Sequence, residues 1–347
     1  MTSICFVSET GKKNRPIQDA SVRYRCYHPA EVLTRAGDFC SVYSAHEFYQ
    51  QPNFDYDVYV FHRPTTVREN FRLVQERLRK FDKTLIADYD DLIFGDAGMA
   101  IQSSAVRSGR LAEDRASMLF QQNLAGLREF DKVTTSTGPL AAWAKEFNAG
   151  AEVRVIPNLI PPSVSEVHNQ LGTARVARPH TMIGYFSGSK SHDGDLLLVA
   201  SVLHRVLIEN PDYTLMLVGP VSLPASLAGL PNVMLAPLVD FQRLPGLMAK
   251  CSTVIAPLET SDFTACKSRV KFLEAALSGT RLLATPIPDM QVLGEERLGL
   301  LESLDDWYEE LSAPVTRQAY SQQAERNAEF IRDVARVDEL KGFWDAK

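Results

Sequence analysis

The sequence predicts an α/β protein made of two Rossmann-like halves that face each other across a cleft. Three observations predict it. Short apolar runs alternate with helix-period segments at the pitch of a doubly wound parallel sheet. The alternation stops in the proline-rich stretch 157–162, PNLIPP, and then starts again. The chain has 347 residues, enough for two domains of ordinary size.

The first half opens with SICFV at 3–7, short, apolar and followed by a glycine-containing loop, which reads as a buried strand. A helix covers 29–36 and a second buried strand covers 57–61. Thr66 is placed to cap a helix running to about Phe81. Residues 84–88, TLIAD, form the next strand and end in acidic residues. A helix at 112–128, a strand at 132–136, a helix from Pro139 to Phe147 and a strand at 153–156 complete the half. The second cycle begins with a strand at 181–186 and a helix at 194–208. Strands at 214–218 and 233–235 follow, then a helix at 244–249 and a strand at 253–256. A helix at 265–277 ends with Gly279 in the C′ position, and 281–284 is another strand. The tail, 304–347, is helical and amphipathic. We therefore place the first domain at 1–165 and the second at 166–329, with 330–347 packing back on the first.

Hydrophobic residues make up 45% and charged residues 23%, which excludes disorder, collagen and a long coiled coil. The formal charge of −6 weighs against nucleic acid as a partner. Residues 1–160 carry 20 basic and 20 acidic side chains, and 161–347 carry 17 and 23, so the deficit lies in the second half. The five cysteines form no CxxC, so reduced thiols and a cytoplasmic location are expected. The N-terminus has neither a basic n-region nor a long apolar h-region. No apolar run reaches the ~18 residues of a bilayer span. The chain is expected to be soluble, or at most peripheral on a membrane.

Ligands in open α/β sheets collect beyond the carboxyl ends of the strands. In the second half, Lys267, Lys271, Glu274 and Ser278 fall on one face of the helix expected there. Lys267 and Ser268 occupy its first turns, where free N–H groups and the dipole favour an anion from outside. Seven residues separate Lys267 from Glu274, about 10 Å on a helix axis. That distance suits a diphosphate at the start and a ribose farther along. A plain solvated helix with a Lys271–Glu274 pair is the competing reading. The loop FSGSKSHDGD, 186–195, offers Gly188 for close backbone approach and Ser189 and Lys190 for phosphate oxygens. An ordinary loop capped by Asp193 is its competing reading.

Together these segments resemble the retaining glycosyltransferases of family 4. The resemblance rests on FSGSxxHDxD followed about 80 residues later by FTxCKSxxKFLEAALSGT. VRYRCYHPAEVL at 22–33, ADYDDLIF at 87–94, VTTSTGPLAAW at 133–143 and VIPNLI at 155–160 are similar to the bacterial branch that builds surface polysaccharides. The resemblance implies the GT-B fold and a nucleotide-diphosphate sugar held mainly by the second domain. Glu274 matches the second acid of the family's E-x7-E element and would bind the ribose. Gly11, Gly188, Ser189, Lys190, His192, Lys267, Ser268 and Lys271 would surround the diphosphate. Cationic side chains there would make a metal or other cofactor unnecessary, and Asp193-Gly194-Asp195 opens a helix instead of forming a metal-binding DxD. Asp91, His62 and Lys267 are the candidate catalytic residues. Arg23, Arg25, Arg63 and Asp90 are the candidate contacts to a saccharide or lipid-linked acceptor. Asp88, Asp90 and Asp91 crowd three carboxylates together, which calls for a raised pKa or for pairing with arginine. The basic helix expected at 66–81, with Val67, Phe71, Val74 and Leu78 as its buried stripe, could meet anionic lipid head groups. One position departs from the family pattern: the first acid is replaced by Cys266. A subgroup using Lys267 or Ser268 is one explanation, and a degenerate scaffold protein is another. A nucleotide-sugar epimerase is a third reading of the same halves.

Overall fold

The computed structural model describes residues 1–12, 15–170, 181–189, 193–313 and 317–334. Two six-stranded sheets organise them, and every strand pair is parallel. The first contains β1 (Ser3–Ser8), β2 (Phe39–Ser44), β3 (Val58–His62), β4 (Thr84–Tyr89), β5 (Lys132–Thr135) and β6 (Glu152–Val155), in the order β2-β1-β3-β4-β5-β6. The second contains β7 (Met182–Phe186), β8 (Thr214–Val218), β9 (Val233–Ala236), β10 (Thr253–Ala256), β11 (Arg281–Ala284) and β12 (Gly299–Leu300). Its order, β12-β11-β10-β7-β8-β9, is the doubly wound dinucleotide-fold order, with the switch point between β7 and β10.

Each sheet is covered on both faces, and the strand period of two sorts its residues. In the first sheet, Ile4, Phe6, Val58, Val60 and Ile86 enter one core. Cys5, Val7, Tyr59, Phe61, Ala87 and Tyr89 enter the other. In the second, Ile183, Tyr185, Leu215, Leu217 and Leu283 lie on one side, and Phe186, Met216, Val218, Leu282 and Ala284 on the opposite one.

Several elements differ from expectation. The edge strand β2 went unrecognised because its residues are only half buried and Cys, Ser and Tyr interrupt the apolar run. Ala20–Val22, Arg23–Tyr27 and His28–Arg35 form one continuous helical run whose middle segment is a π-type turn, a feature no side-chain period announces. The basic helix spans Phe71–Lys80, later than Thr66 suggested. Phe71, Val74 and Leu78 are buried as expected, whereas Val67 precedes the helix and is exposed. Pro162–Gln170 is helical, immediately after the proline stretch. Of the tail, Leu304–Ser312 and Arg317–Val334 are helical. The second of these packs on the second sheet's core through Phe330 and Ile331, and residues 335–347 lie outside the described residues. No described helix is long and apolar enough to cross a membrane.

Candidate functional site

The register of the first sheet builds one wall. Ser8 pairs with His62 and His62 with Asp88, so the ends of β1, β3 and β4 are level. Asp88 also pairs in register with Thr134, whose hydroxyl donates to Asp88 Oδ1 (2.6 Å). From the π-type turn, Arg25 reaches Asp88 with Nε (2.9 Å) and Nη2 (2.6 Å). Arg25 Nη1 donates to the Ile156 carbonyl and to Asn158 Oδ1. Both side chains of this pair are 2% exposed or less. Arg25 is therefore an internal strut tying β4 to the chain after β6, which corrects its expected place among the acceptor contacts. Taking a charge so deep out of water is tolerated because the guanidinium is matched by a carboxylate and two further oxygens.

The other two aspartates meet a second arginine. Arg63 follows β3 with φ +51°, a left-handed conformation unusual for a residue other than glycine. That backbone turns its guanidinium onto Asp90 Oδ1 (2.6 Å), Asp91 Oδ2 (3.1 Å) and Ser21 Oγ (2.8 Å). His62 Nε2 lies 3.3 Å from Asp90 Oδ1, and His62 Nδ1 is buried without a partner. Burial pushes the Asp90 carboxyl up, but Arg63 and His62 outweigh it and hold the group well below the usual range. The pairing with arginine expected for the crowded aspartates is thus met, for Asp88 by Arg25 and for Asp90 and Asp91 by Arg63.

The facing wall differs from the single helix expected at 265–277. It breaks into Asp262–Ala265 and Val270–Leu277. Ser261 caps the first piece in a capping box with Thr264. Lys267 and Ser268 lie in the break, so they do not share a helical face with Lys271 and Glu274. Lys267 Nζ sits 4.7 Å from the Phe263 ring centroid and donates to Asp91 Oδ1 across the cleft (2.5 Å). Ser268 Oγ accepts from Asn158 Nδ2 (2.9 Å), and the Cys266 carbonyl accepts from Thr137 Oγ1 (3.0 Å). Ser268 is thus engaged in joining the halves. Cys266 is buried in the first domain's core together with Phe263, and that burial pushes its thiol up to about 12. Where the resemblance expects an acid, the chain has a thiol buried in the first domain's core, and the backbone carbonyl of the same residue bonds across to Thr137. Lys271 Nζ pairs with Glu274 Oε2 (2.9 Å), and Arg269 is held by Asp289.

The loop after β7 comes close to β8's end. Gly219 has φ +101°, and a Cβ there would lie 2.0 Å from the Ser187 carbonyl oxygen. A Cβ at Gly11 or Gly188 would meet nothing within 4 Å, so both leave open space beside their loops. Asp193 accepts from the Ser222 N–H and Asp195 from the Glu259 N–H, which uses these carboxylates on backbone. Lys190 and His192 lie outside the described residues.

Arg23 faces the second domain from the π-type turn. Its guanidinium carbon stands 4.1 Å from the Phe241 ring centroid, and it helps line a cavity of about 650 Å³. Tyr24, His28, Gln242, Leu244 and Glu274 line the same cavity. Burial, reinforced by the Glu274 charge, pushes the Tyr24 phenol up. Arg107 pairs with Glu259, and Gln18 with Asp240, so the halves also touch at both flanks. The sequence reading missed Phe241 and the Arg107–Glu259 pair, and it quoted Tyr24 in 22–33 and Thr137 in 133–143 without giving either a role. Asn158 was visible inside the segment VIPNLI, but without a role.

Two facing parallel sheets, each read at its carboxyl ends, decide the architecture. The fold is GT-B. No model of a known protein family matches the chain, and no curated protein does. Solved structures with the GT-B architecture do. HepE from Anabaena, solved with UDP-glucose, is similar over 100% of this chain and 96% of its own, at 15% identity and TM-score 0.57. Sucrose-phosphate synthase from Thermosynechococcus elongatus covers 98% and 96%, at 13% identity and TM-score 0.60. An alpha-glucosyltransferase in complex with UDP-glucose and DNA containing an abasic site covers 97% and 96%, at 11% identity and TM-score 0.61.

Proposed function

We propose that the chain is a retaining glycosyltransferase that moves a sugar from a nucleotide-diphosphate donor to a saccharide or lipid-linked acceptor in cell-surface glycan assembly. The observation that carries the reading is the meeting of Lys267 with the Arg63–Asp90–Asp91 cluster, between the carboxyl ends of two parallel sheets. GT-B neighbours solved with UDP-glucose support it.

In this reading Glu274 accepts hydrogen bonds from the ribose hydroxyls, and the nucleoside half uses the cavity beside it. The loop at Gly188 and Ser189 approaches the diphosphate, and Lys267 stabilises the negative charge that grows on it. The donor C1–O bond breaks with its electron pair going to the phosphate oxygen. The acceptor oxygen bonds to C1 from the same face, and its proton passes to the departing oxygen. Asp91 orients the attacking hydroxyl. Stabilising the leaving diphosphate is the main task, and cationic side chains of the cleft perform it in place of a metal.

Titration calorimetry with UDP, GDP and ADP tests the reading. At least one is expected to bind, and Glu274→Ala is expected to weaken it about tenfold, or ~1.4 kcal/mol. No binding at millimolar concentration overturns it. The buried Cys266 favours a second reading, a scaffold that binds nucleotide sugar without turnover. Mass spectrometry with a donor panel and extracted acceptor lipid separates the two, because the scaffold yields no glycosylated product.

A further inference from the structure

Along the break after Asp262–Ala265 and the helix that follows it, the second domain's cleft wall carries cations that are already paired. Three of its cations lie within five residues, and each is matched by a carboxylate: Lys267 by Asp91, Arg269 by Asp289 and Lys271 by Glu274. A nucleoside diphosphate brings at least two negative charges, so it competes with these carboxylates, and a pair that yields frees a cation for it. The three are not equally able to yield. Arg269 holds Asp289 through Nε, Nη2 and its own backbone N–H, and the pair is nearly enclosed. Lys271 and Glu274 share one helix turn, so no movement between domains separates them. Lys267 and Asp91 come from different domains, meet through the single Nζ–Oδ1 hydrogen bond, and are 22% and 25% exposed.

We propose that Asp91 is a latch on Lys267, occupying the lysine until a nucleoside diphosphate displaces it. The inference rests on the transferase reading above and deepens it. Arg63 makes the latch reversible. It grips Asp91 Oδ2 from the first domain, so the carboxylate stays in place when the lysine leaves. With Lys267 in place the cluster holds two cations, Arg63 and Lys267, against two carboxylates, Asp90 and Asp91. When the diphosphate takes Lys267, Asp91 Oδ1 is left facing the cleft, where an acceptor hydroxyl can donate to it. Departure of the nucleotide restores the pair.

The test is a double-mutant cycle read by calorimetric Kd for UDP, GDP and ADP. Asp91→Asn removes the competing charge and keeps the side chain's size. It is expected to tighten nucleoside diphosphate binding about tenfold, and Lys267→Ala to weaken it about as much. In the Lys267→Ala background, Asp91→Asn is expected to bring no gain, because there is no lysine left to release. Asp91→Ser serves as a second variant against a folding defect in the first. The latch is overturned if wild type binds while both Asp91 variants bind no tighter, or if the gain survives without Lys267. If neither wild type nor the Asp91 variants bind any of the three at millimolar concentration, the transferase reading falls and the latch with it.

Discussion

His28 shows how a single buried residue reports on the joint between the domains. Its Nδ1 donates to the Leu159 carbonyl (2.9 Å), its ring stands edge-on to Tyr24, and burial pushes it down to about 4. In the unfolded chain it titrates near 6.5. Between those values the unfolded state binds a proton that the folded state does not, so stability rises with pH across that window. At about 1.4 kcal/mol per unit, acidification from 6.5 to 4 removes about 3 kcal/mol. His28→Gln keeps a donor for Leu159 and removes the titration. Urea unfolding at pH 4.5 and 6.5 is expected to show a shallower pH dependence in the variant, and equal dependence contradicts the assignment. Arg25 carries a related lesson. Sequence alone shows an arginine near a predicted cleft, but the π-type turn that swings it inward to Asp88 leaves no mark in the side-chain pattern.

The strands were the most legible elements. Buried parallel strands are short, apolar and punctuated by turns, and all of the expected ones are present. Helix ends were less legible. The predicted face joining Lys267 to Glu274 assumed one helix, yet Ser261 caps a separate short piece and the chain kinks before Val270. The periodicity of Lys267, Lys271 and Glu274 is real in the sequence, but only Lys271 and Glu274 share a helix, and Lys267 lies in the break before it. The loop after β7 depends on a different local rule. At Gly219 a left-handed backbone and a 2.0 Å approach to the Ser187 oxygen both exclude a side chain. Gly219→Ala is expected to cost about 2 kcal/mol or more in urea unfolding, since an alanine at positive φ loses more than the ordinary ~1 kcal/mol. Wild-type stability in that variant contradicts the close packing of β8's end against the loop.

At the scale of the molecule, the sequence signalled two halves, and the two six-stranded sheets bear this out. What it did not show is how tightly the halves engage. Phe263 and Cys266 enter the first domain's core, while Tyr24 and Ile160 enter the second's. Contacts of this kind join positions more than a hundred residues apart, such as Thr137 with Cys266, and neither local propensity nor period encodes them. They also mark the place where the proposed function puts its ligand, because the segments after β4 and β10 meet there. Hydrogen–deuterium exchange with and without a nucleoside diphosphate tests this central claim most directly. The account predicts slower exchange in 88–94, in 257–268 and at the start of the helix Val270–Leu277, with the outer strands β2 and β9 unchanged. Protection confined to surfaces away from those segments, with the cleft unaffected, would contradict it.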